Sequence, residues 1–436
     1  MRVSDFIWVG DEPATERGFP TADDLRRALP AISGQFAIHA KDREGGELLV
    51  RDPLGVNKLF FVVGKGSVEW SNFLIHLVGR GHRLDEISSV PSGHCVAVHA
   101  AEGRLELHKY RKLDFARGGE AAWSLDDHAA MIRERMDVVF RRLARALAGR
   151  RLFVTLSGGL DSTTIAVAAR QHLGDFTAVT FAMDDGTGEP TSSEDHHFAK
   201  LVAAELGVPM ETVLATPDEV AALLDVALVY GQDWREFNVH CALVNARIAE
   251  HLSRTHLPRG TGRPVILTGD TMNELMADYA PVTFRGQEFY SLPRLPADRL
   301  RRFLVSGLDS GDREVGVFSH FGMDVIQPYA MLADVYASLP ASHLQSADAK
   351  QCLVRKVMGE RIPAEIYARP KVRAQVGGSR SVGGTLRAMA DAGLTGDRLR
   401  RRFAELFGCE EGARDRLIHA GFYRFTNAFP VREAHP

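Results

Sequence analysis

The stretch RLFVTLSGGLDS, residues 151–162, decides the fold of this chain. Its first half, 151–156, is a short and mostly apolar run, which favours a strand buried in a parallel sheet. A Gly-Gly turn follows, and residues 161–173 favour a helix. A strand, a glycine turn and a helix N-terminus in this order direct several backbone N–H groups towards one point, where the helix dipole adds positive potential. The stretch therefore predicts an anion-binding loop.

The side chains of this loop indicate which anion it binds. Ser157 and Ser162 offer hydroxyl donors without bulk. Asp161 is unexpected at an anion site, because a carboxylate beside a phosphate is repulsive unless a cation lies between them. We therefore expect a phosphate with Mg²⁺ at Asp161. The alternative is a tight turn in which Asp161 only caps the helix.

The segments around the loop alternate between predicted helices and strands. They are an amphipathic helix around 126–147, a strand at 176–183, helices at 194–206 and around 218–254, and a strand at 265–269. This alternation is typical of an α/β fold with a parallel sheet and right-handed crossovers. The last hundred residues are predicted to be mainly helical.

The first 110 residues have a different character. Short apolar runs between Gly, Pro, Asp and Asn predict antiparallel strands, with helix only around 22–29 and 72–79. The composition then shifts in the polar, glycine-bearing segment 112–124. We therefore predict a β-rich domain over 1–112 and an α/β domain over 113–436.

Composition narrows the function classes. The chain has 436 residues, of which 45% are hydrophobic and 25% charged, as in ordinary folded proteins. Its net charge of -3 gives no general electrostatic reason to expect binding to nucleic acid or a membrane surface. No apolar run approaches the roughly 20 residues of a membrane-spanning helix. We expect a cytoplasmic protein with no nucleic-acid or membrane partner, and its oligomeric state stays open, a homo-oligomer included.

The hexamer SGGLDS resembles the pyrophosphate-binding loop, or PP-loop, of the N-type ATP pyrophosphatases. The segment LTGDTMNE at 267–274 resembles the S/T-G-E-G-S-D-E segment of asparagine synthetases. Further resemblances to that family follow in family order, with RDPLGVNK at 51–58, VPSGH at 90–94, MDVIQPY at 323–329 and RPK at 369–371. The resemblance implies an adenine-nucleotide alpha-hydrolase-like sheet domain preceded by a truncated, β-rich Ntn-hydrolase-like domain. It also implies ATP and Mg²⁺ as cofactors.

The N-terminus departs from this family. Glutamine-dependent members carry a nucleophilic cysteine at position 2, but this chain has Arg2 and no cysteine before Cys95. We therefore expect no glutamine hydrolysis, and we expect the first domain to be a structural relic. The same cysteine is missing from β-lactam synthetase, carbapenam synthetase and some lasso-peptide cyclases, in which an amine of the substrate attacks the adenylated carboxylate.

The segment around Asp270 also departs from the family. Asp270 stands where β-lactam-forming relatives carry a catalytic tyrosine and asparagine synthetases a glutamate. Asn273 replaces an aspartate that serves the family as second Mg²⁺ ligand. An amide oxygen remains, but one charge is lost, and Asp270 or Glu274 are the candidates to replace it.

The resemblance assigns roles to individual residues. Lys371 is expected to stabilise the oxyanion and the developing phosphate charge, and Asp270, assisted by Glu314, to deprotonate the amine. Asp161 and Asn273 are the expected metal ligands. The residues expected to bind ATP or pyrophosphate are Leu156, Ser157, Gly158, Gly159, Asp161, Ser162, Phe181, Met183, Thr268, Gly269 and Lys350.

Together these features predict an AMP-forming amide or lactam synthetase that couples a small-molecule or peptide carboxylate to an amine. Natural-product biosynthesis fits best, because a primary asparagine synthetase would keep its glutaminase. The alternatives are an ammonia-dependent asparagine-like synthetase and a nucleotide-binding pseudoenzyme that acts as a partner subunit. A tRNA-modifying thiolase shares the SGGxDS loop, but a catalytic cysteine pair, a zinc motif and a basic region are missing from the sequence.

Overall fold

The structure of the chain is a computed structural model. It describes residues 5–10, 12–13, 21–41, 46–64, 67–99, 102, 104–111, 113–115, 123–190, 193–257, 262–279, 282–284, 287–289, 294–307, 312–372, 374–378, 384–409 and 431–434. Within these ranges, no helix has both the length and the apolar character needed to cross a membrane.

The N-terminal part is built mainly of short strands. Its elements are β1 (Phe6–Val9), β2 (Glu12–Pro13), α1 (Ala22–Ala28), β3 (Ile32–Gln35), β4 (Ala37–Lys41), β5 (Glu47–Arg51), β6 (Phe60–Val63), β7 (Val68–Ser71), α2 (Leu74–Val78), β8 (Ser88–Ser89), β9 (His94–His99) and β10 (Arg104–Lys109). They form sheets β2-β1-β3, β10-β9-β5-β4 and β7-β6-β8, in which neighbouring strands are antiparallel.

The rest of the chain alternates between helices and strands and then becomes helical. Its elements are α3 (Leu125–Ala146), β11 (Leu152–Thr155), α4 (Leu160–His172), β12 (Thr177–Met183), α5 (Glu194–Leu206), β13 (Met210–Ala215), α6 (Pro217–Ala221), α7 (Leu224–Tyr230), α8 (Glu236–His256), β14 (Val265–Leu267), α9 (Met272–Met276), β15 (Val282–Phe284), β16 (Gln287–Phe289), α10 (Ala297–Gly307), α11 (Val315–His320), β17 (Asp324–Ile326), α12 (Pro328–Met331), α13 (Ala333–Ala337), α14 (Ala349–Met358), α15 (Ala364–Ala368), α16 (Ala374–Gly377), α17 (Gly384–Asp391), α18 (Gly396–Phe407) and β18 (Val431–Ala434). Short 3-10 turns lie at Leu29–Ala31, Leu84–Glu86, Ala341–Leu344 and Gly359–Arg361. The strand β18 pairs in parallel with β10.

A five-stranded parallel sheet organises the second part of the chain. Its order is β13-β12-β11-β14-β17, so the chain first moves outward from β11 to β13 and then restarts on the other side at β14. In open α/β sheets, ligands bind outside the carboxyl ends of the strands at such a reversal of strand order. The loops after β11 and β14 meet at this point.

The predicted α/β fold with a β-rich N-terminal part is confirmed. The helix predicted at 194–206 is α5 with the same bounds, and the strand predicted at 176–183 begins one residue later as β12. Ser124 caps α3 by accepting the backbone N–H of Asp127 at 3.2 Å. The helical stretch predicted around 218–254 is instead three helices, α6, α7 and α8.

The segment RDPLGVNK forms the buried connection between β5 and β6. The Arg51 guanidinium is fully buried and donates to the carbonyls of Gly55, Asn57 and Val90 at 2.6–2.9 Å. The Asp52 carboxylate accepts the backbone N–H of Asn57 at 3.0 Å. These two charged residues therefore satisfy the backbone of a tight turn.

Amide side chains connect the N-terminal part to the parallel-sheet part. Gln35 on β3 donates to the carbonyl of Val325 at 2.9 Å and accepts the backbone N–H of Gln327 at 3.1 Å. Gln232 accepts the backbone N–H of Leu74 at 2.8 Å. Both glutamines are fully buried.

Apolar and ionic contacts accompany these amides. The Phe73 and Tyr230 rings meet edge to face with their centroids 5.3 Å apart. Arg111 pairs with Asp334 where both side chains are partly exposed, at 26% and 42%. The two parts therefore share a buried contact with an ion pair at its rim.

Candidate active site

A cleft of about 750 Å³ opens at the carboxyl ends of β11 and β14. It lies where the strand order reverses, which is where the fold favours a ligand site. The predicted site residues that line it are Leu156, Ser157, Gly159, Asp161, Ser162, Phe181, Gly269, Asp270, Asn273, Glu314, Lys350 and Lys371.

The loop between β11 and α4 is held by its two serines. The Ser162 hydroxyl accepts the backbone N–H of Ser157 at 3.2 Å, and the two hydroxyl oxygens are 3.2 Å apart. Gly159 is the N-cap of α4 and supplies no capping side chain, so this helix end faces the cleft without a side-chain cap. Asp161 does not cap the helix, because its carboxylate contacts Lys350. This geometry supports an anion site.

Gly158 supports the loop from behind and does not line the cleft. Its φ is +69°, and a Cβ there would lie 2.4 Å from Cβ of Phe198 on α5. The position therefore excludes a side chain for two reasons, a left-handed backbone and the close approach of α5. Gly269 is similarly tight, since a Cβ would lie 2.8 Å from the backbone nitrogen of Ser162.

Two predicted nucleotide-binding residues lie outside the cleft lining, and their predictions are corrected here. Met183 is fully buried in the apolar core at the end of β12, where its backbone N–H donates to the Gly378 carbonyl at 3.0 Å. Thr268 is also fully buried, and its hydroxyl donates to Glu314 at 2.6 Å. Phe181, by contrast, lines the cleft.

Two lysines meet three side-chain oxygens beside the loop. Lys350 Nζ lies 2.8 Å from Asp161 Oδ1 and 2.9 Å from both Asn273 Oδ1 and Asp278 Oδ2. Lys371 Nζ lies 2.9 Å from the same Asn273 oxygen and 2.7 Å from the same Asp278 oxygen. Asp278 is therefore central to a cluster in which sequence reasoning had not placed it.

The two lysines differ in how their surroundings act on their charge. Burial lowers the pKa of Lys371 to about 8, and the neighbouring Lys350 ammonium adds to this against the opposing charge of Asp278. Burial also acts to lower the pKa of Lys350, but Asp161 and Asp278 outweigh it and raise that pKa. Lys350 is therefore a permanent cation, whereas Lys371 gains most when negative charge develops beside it.

The oxygen atoms of this cluster suit Mg²⁺. Within the described ranges, no group of three or more His, Cys, Asp and Glu side chains is placed to hold a metal ion. Mg²⁺ does not need such a cage beside a nucleotide, because it binds through one or two carboxylates together with substrate phosphates. Asp161 and Asp278 supply two carboxylates and Asn273 an amide oxygen, so the residues present fit the ion.

Asp270 lies on the cleft wall in an ion pair that the sequence did not predict. Its Oδ2 accepts from two nitrogens of Arg313, at 2.9 and 3.0 Å. Arg313 also donates to Asn238 at 3.1 Å and lies 5.2 Å above the Phe237 ring. Its charge is therefore held at the cleft by contacts from three elements of the fold.

Glu314 is buried next to Asp270. Its Oε2 accepts from the Thr268 hydroxyl at 2.6 Å and from the Gln327 amide at 2.8 Å. Burial raises the pKa of Glu314 to about 8, and the Asp270 charge adds to the shift. The structure thus brings the predicted pair together and gives its second member a pKa suited to proton transfer near neutral pH.

Arg369 closes the cleft from the C-terminal side. It donates to the Ser157 carbonyl at 2.7 Å and to the Asp195 carboxylate at 2.5 Å, and its guanidinium lies 4.7 Å above the Phe198 ring. A Cβ at Gly377 would lie 2.5 Å from the Asp195 carboxylate. Arg369 therefore joins the 369–371 segment to the pyrophosphate loop and brings Lys371 to the cleft.

The residues that sequence reasoning missed are Asp195, Asp278, Tyr279 and Arg313, and Arg369 was noted only as part of a motif. A carboxylate five residues after Asn273 was the available signal for Asp278, because a short helix and turn return the chain to its start. Arg313 directly precedes the predicted Glu314, but nothing in the sequence connects it to Asp270. Arg2 lies outside the described residues.

The sequence was compared with known families and proteins. The model of the family described as asparagine synthase matches residues 139–313 and 319–410. A search of curated proteins found no significant match.

Two solved structures illustrate the similarity in coordinates. An NMN synthetase from Francisella tularensis is 12% identical, with 70% of this chain and 100% of that chain covered and a TM-score of 0.33. An NH3-dependent NAD synthetase from Campylobacter jejuni subsp. jejuni NCTC 11168, in complex with the nitrate ion, is 15% identical, with 40% and 73% covered and a TM-score of 0.24. Similarity at this level says nothing about the activity of this chain.

The family match carries the assignment. It covers more than half of the 436 residues and includes the SGGLDS loop, the segment after β14 and the 369–371 segment. The chain belongs to the asparagine synthase family of ATP-using ligases.

Proposed function

We propose that this chain adenylates a substrate carboxylate and then joins the acyl group to an amine. In the first step, a carboxylate oxygen attacks the α-phosphorus of ATP, the α–β phosphoanhydride bond breaks, and pyrophosphate leaves. In the second step, the amine nitrogen attacks the acyl carbon, the bond to AMP breaks, and a proton leaves the amine. The observation that carries the proposal is that Lys371, Lys350 and Asp161 meet beside the PP-loop.

The PP-loop would hold the pyrophosphate. Its helix end faces the cleft without a capping side chain, and its hydroxyls lie at the same point. Lys350 is a permanent cation at this loop and would neutralise phosphate charge. Mg²⁺, held by Asp161 with Asn273, would supply further neutralisation of the phosphates when bound.

The second step depends on Lys371 and on the acidic pair. Lys371 would stabilise the oxyanion and the phosphate oxygens, because a charge that develops in a partly buried site is stabilised most by a cation already in place. Glu314, with a pKa raised to about 8, would accept the proton of the amine. Asp270, held by Arg313, would keep Glu314 from losing its proton too early.

The amine is not expected to come from glutamine. A glutaminase of this family needs a cysteine at position 2, and the chain has Arg2. The nucleophile would be an amine of the substrate itself or a free amine. The amide or lactam formed this way supports a role in natural-product biosynthesis.

The cleft also suggests what the acyl group resembles. Phe237, Cys241 and Val244 of α8 line it together with Tyr279, and Arg313 lies beside them. This wall combines apolar and aromatic surface with one cation. It supports a carboxylate substrate, small molecule or peptide, that has an apolar portion.

The test is a product assay with a panel of carboxylic acids and short peptides, with ATP, Mg²⁺ and hydroxylamine as a general amine. We expect AMP and pyrophosphate in equal amounts and a hydroxamate of the true substrate. Asp161→Asn should lose most of this activity, whereas Asp397→Asn, at an 82% exposed carboxylate on α18, should keep it.

Each other outcome points to a different function. ADP and orthophosphate would end the adenylation proposal, and glutamate released from glutamine would revive an amidotransferase. Turnover with ammonia alone would favour an ammonia-dependent asparagine-like synthetase. ATP binding without turnover across the panel would favour a nucleotide-binding partner subunit.

A further inference from the structure

Asn273 and Asp278 present their side-chain oxygens to the same two ammonium groups. Lys350 Nζ is 2.9 Å from each oxygen, and Lys371 Nζ is 2.9 Å from Asn273 Oδ1 and 2.7 Å from Asp278 Oδ2. The carboxylate of Asp278 therefore acts on the same charges as a carboxylate at position 273 would.

The backbone between the two residues explains why they are neighbours. The helix α9 ends at Ala277, which has a φ of +52°. This left-handed residue turns the chain back, so that the backbone N–H of Asp278 donates to the Asn273 carbonyl at 2.9 Å. A non-glycine residue in this conformation is uncommon, which indicates that the turn is held by the structure around it.

The other two carboxylates of this segment have different partners. Asp270 accepts two hydrogen bonds from Arg313, and Glu274 accepts from the Tyr279 hydroxyl and lies 3.4 Å from Arg313. They belong to the acidic side of the cleft. The sequence-based candidates for the missing charge, Asp270 and Glu274, are therefore less well placed than Asp278.

Charge balance gives a second argument. Asp161 and Asp278 carry two negative charges, and Lys350 and Lys371 two positive ones. Although burial acts to raise the pKa of Asp278, the two lysines outweigh it and lower that pKa, so the carboxylate stays ionised. Without it, two ammonium groups that share the Asn273 oxygen would face only one carboxylate.

We propose that Asp278 is the second carboxylate of the Mg²⁺–pyrophosphate site and supplies the charge that Asn273 lacks. The inference rests on the proposed function, because it assumes that Mg²⁺ and ATP bind in this cleft. It predicts that the required carboxylate can be moved between positions 278 and 273.

The test measures binding, so it does not depend on the unknown substrate. The full-length chain is titrated with α,β-methylene-ATP by calorimetry over a series of Mg²⁺ concentrations, which gives the Mg²⁺ concentration at half-maximal binding. Asp278→Asn should raise this midpoint roughly tenfold or more, the scale on which partners of a metal site act. Asn273→Asp combined with Asp278→Asn should return it to within about threefold of the wild type. The surface variant Asp397→Asn controls for loss of one charge.

The outcomes separate the two proposals. A wild-type chain that does not bind the analogue, or binds it without Mg²⁺ dependence, would overturn the proposed function and the inference with it. Mg²⁺-dependent binding by the wild type with an unchanged Asp278→Asn midpoint would overturn the inference alone. A double variant as weak as folded Asp278→Asn would also overturn it, because the charge would then not be transferable. Should Asp278→Asn not fold, the single Asn273→Asp variant still decides, because an added carboxylate should lower the midpoint and an unchanged midpoint would count against the inference.

Discussion

Glu314 is a carboxyl group whose burial, with Asp270 beside it, raises its pKa to about 8. If its ionised form accepts the amine proton, kcat/KM should rise with pH up to about pH 8, since the raised pKa keeps the group protonated below that value. Glu314→Gln should lower kcat by roughly 10²-fold or more and remove this rise. A pH series of kcat/KM for both enzymes is the measurement. A rise that persists in Glu314→Gln would assign the proton acceptor elsewhere.

Lys371 carries the second prediction. Lys371→Ala should lose roughly 10²-fold or more in kcat, the scale of removing one preorganised donor to an oxyanion, while ATP affinity changes little. Lys371→Arg should not restore activity, because a planar guanidinium is wider than the ammonium that fits between Asn273 and Asp278. Single-turnover kinetics with ATP binding measured separately test both points. Near-normal kcat in Lys371→Ala would remove this residue from the chemistry.

Sequence reasoning identified those site residues whose role is local or belongs to a motif. Asp161 and the serines are fixed by the strand, turn and helix in which they stand, so their meeting in one loop was predictable. The pairing of Arg313 with Asp270 joins residues 43 positions apart, and that of Arg369 with Asp195 joins residues 174 apart. Such contacts depend on how loops from different strands pack, which no local pattern encodes.

At the scale of elements, α5 packs against the loop before α4. Gly158→Ala should destabilise the fold by about 1–3 kcal/mol beyond the cost of the left-handed backbone, because the added methyl group would meet α5. It should also weaken nucleotide binding. Gly207→Ala is the matched control, since its φ of +62° is similar but nothing lies within 4 Å of its Cβ. Denaturant unfolding of both variants isolates the packing contribution, and equal losses would contradict it.

The elements that the sequence predicted best are those with an uninterrupted apolar or amphipathic pattern. β12 and α5 begin and end within one residue of their predictions, because their patterns are bounded by breakers. The region around 218–254 was predicted as one helical stretch, but Gly231 ends α7 and α8 begins only at Glu236. There the helix-forming residues on both sides concealed a break that the packing of three helices requires.

At the scale of the whole molecule, the N-terminal part reaches the acidic pair. Gln35 accepts the backbone N–H of Gln327, whose side chain donates to Glu314 at 2.8 Å. Gln35→Ala should therefore lower kcat roughly tenfold, with little change in the KM for ATP, and shift the pH at which kcat/KM levels off. Gln35→Glu keeps the acceptor oxygen and should retain more activity. An unaltered pH profile in folded Gln35→Ala would show that this part of the chain has only a structural role.

The contacts that Gln35 and Gln232 make across this boundary also determine how it responds to ionic strength. A hydrogen bond between a neutral amide and the backbone gains little from long-range charge, so dissolved ions have little to screen there. The Arg111–Asp334 pair at the rim is partly exposed, at 26% and 42%, and screening reaches it readily. Raising the salt concentration should thus loosen the rim while the buried amides keep the two parts of the chain in register. The coupling between them would survive buffers that remove most surface electrostatics.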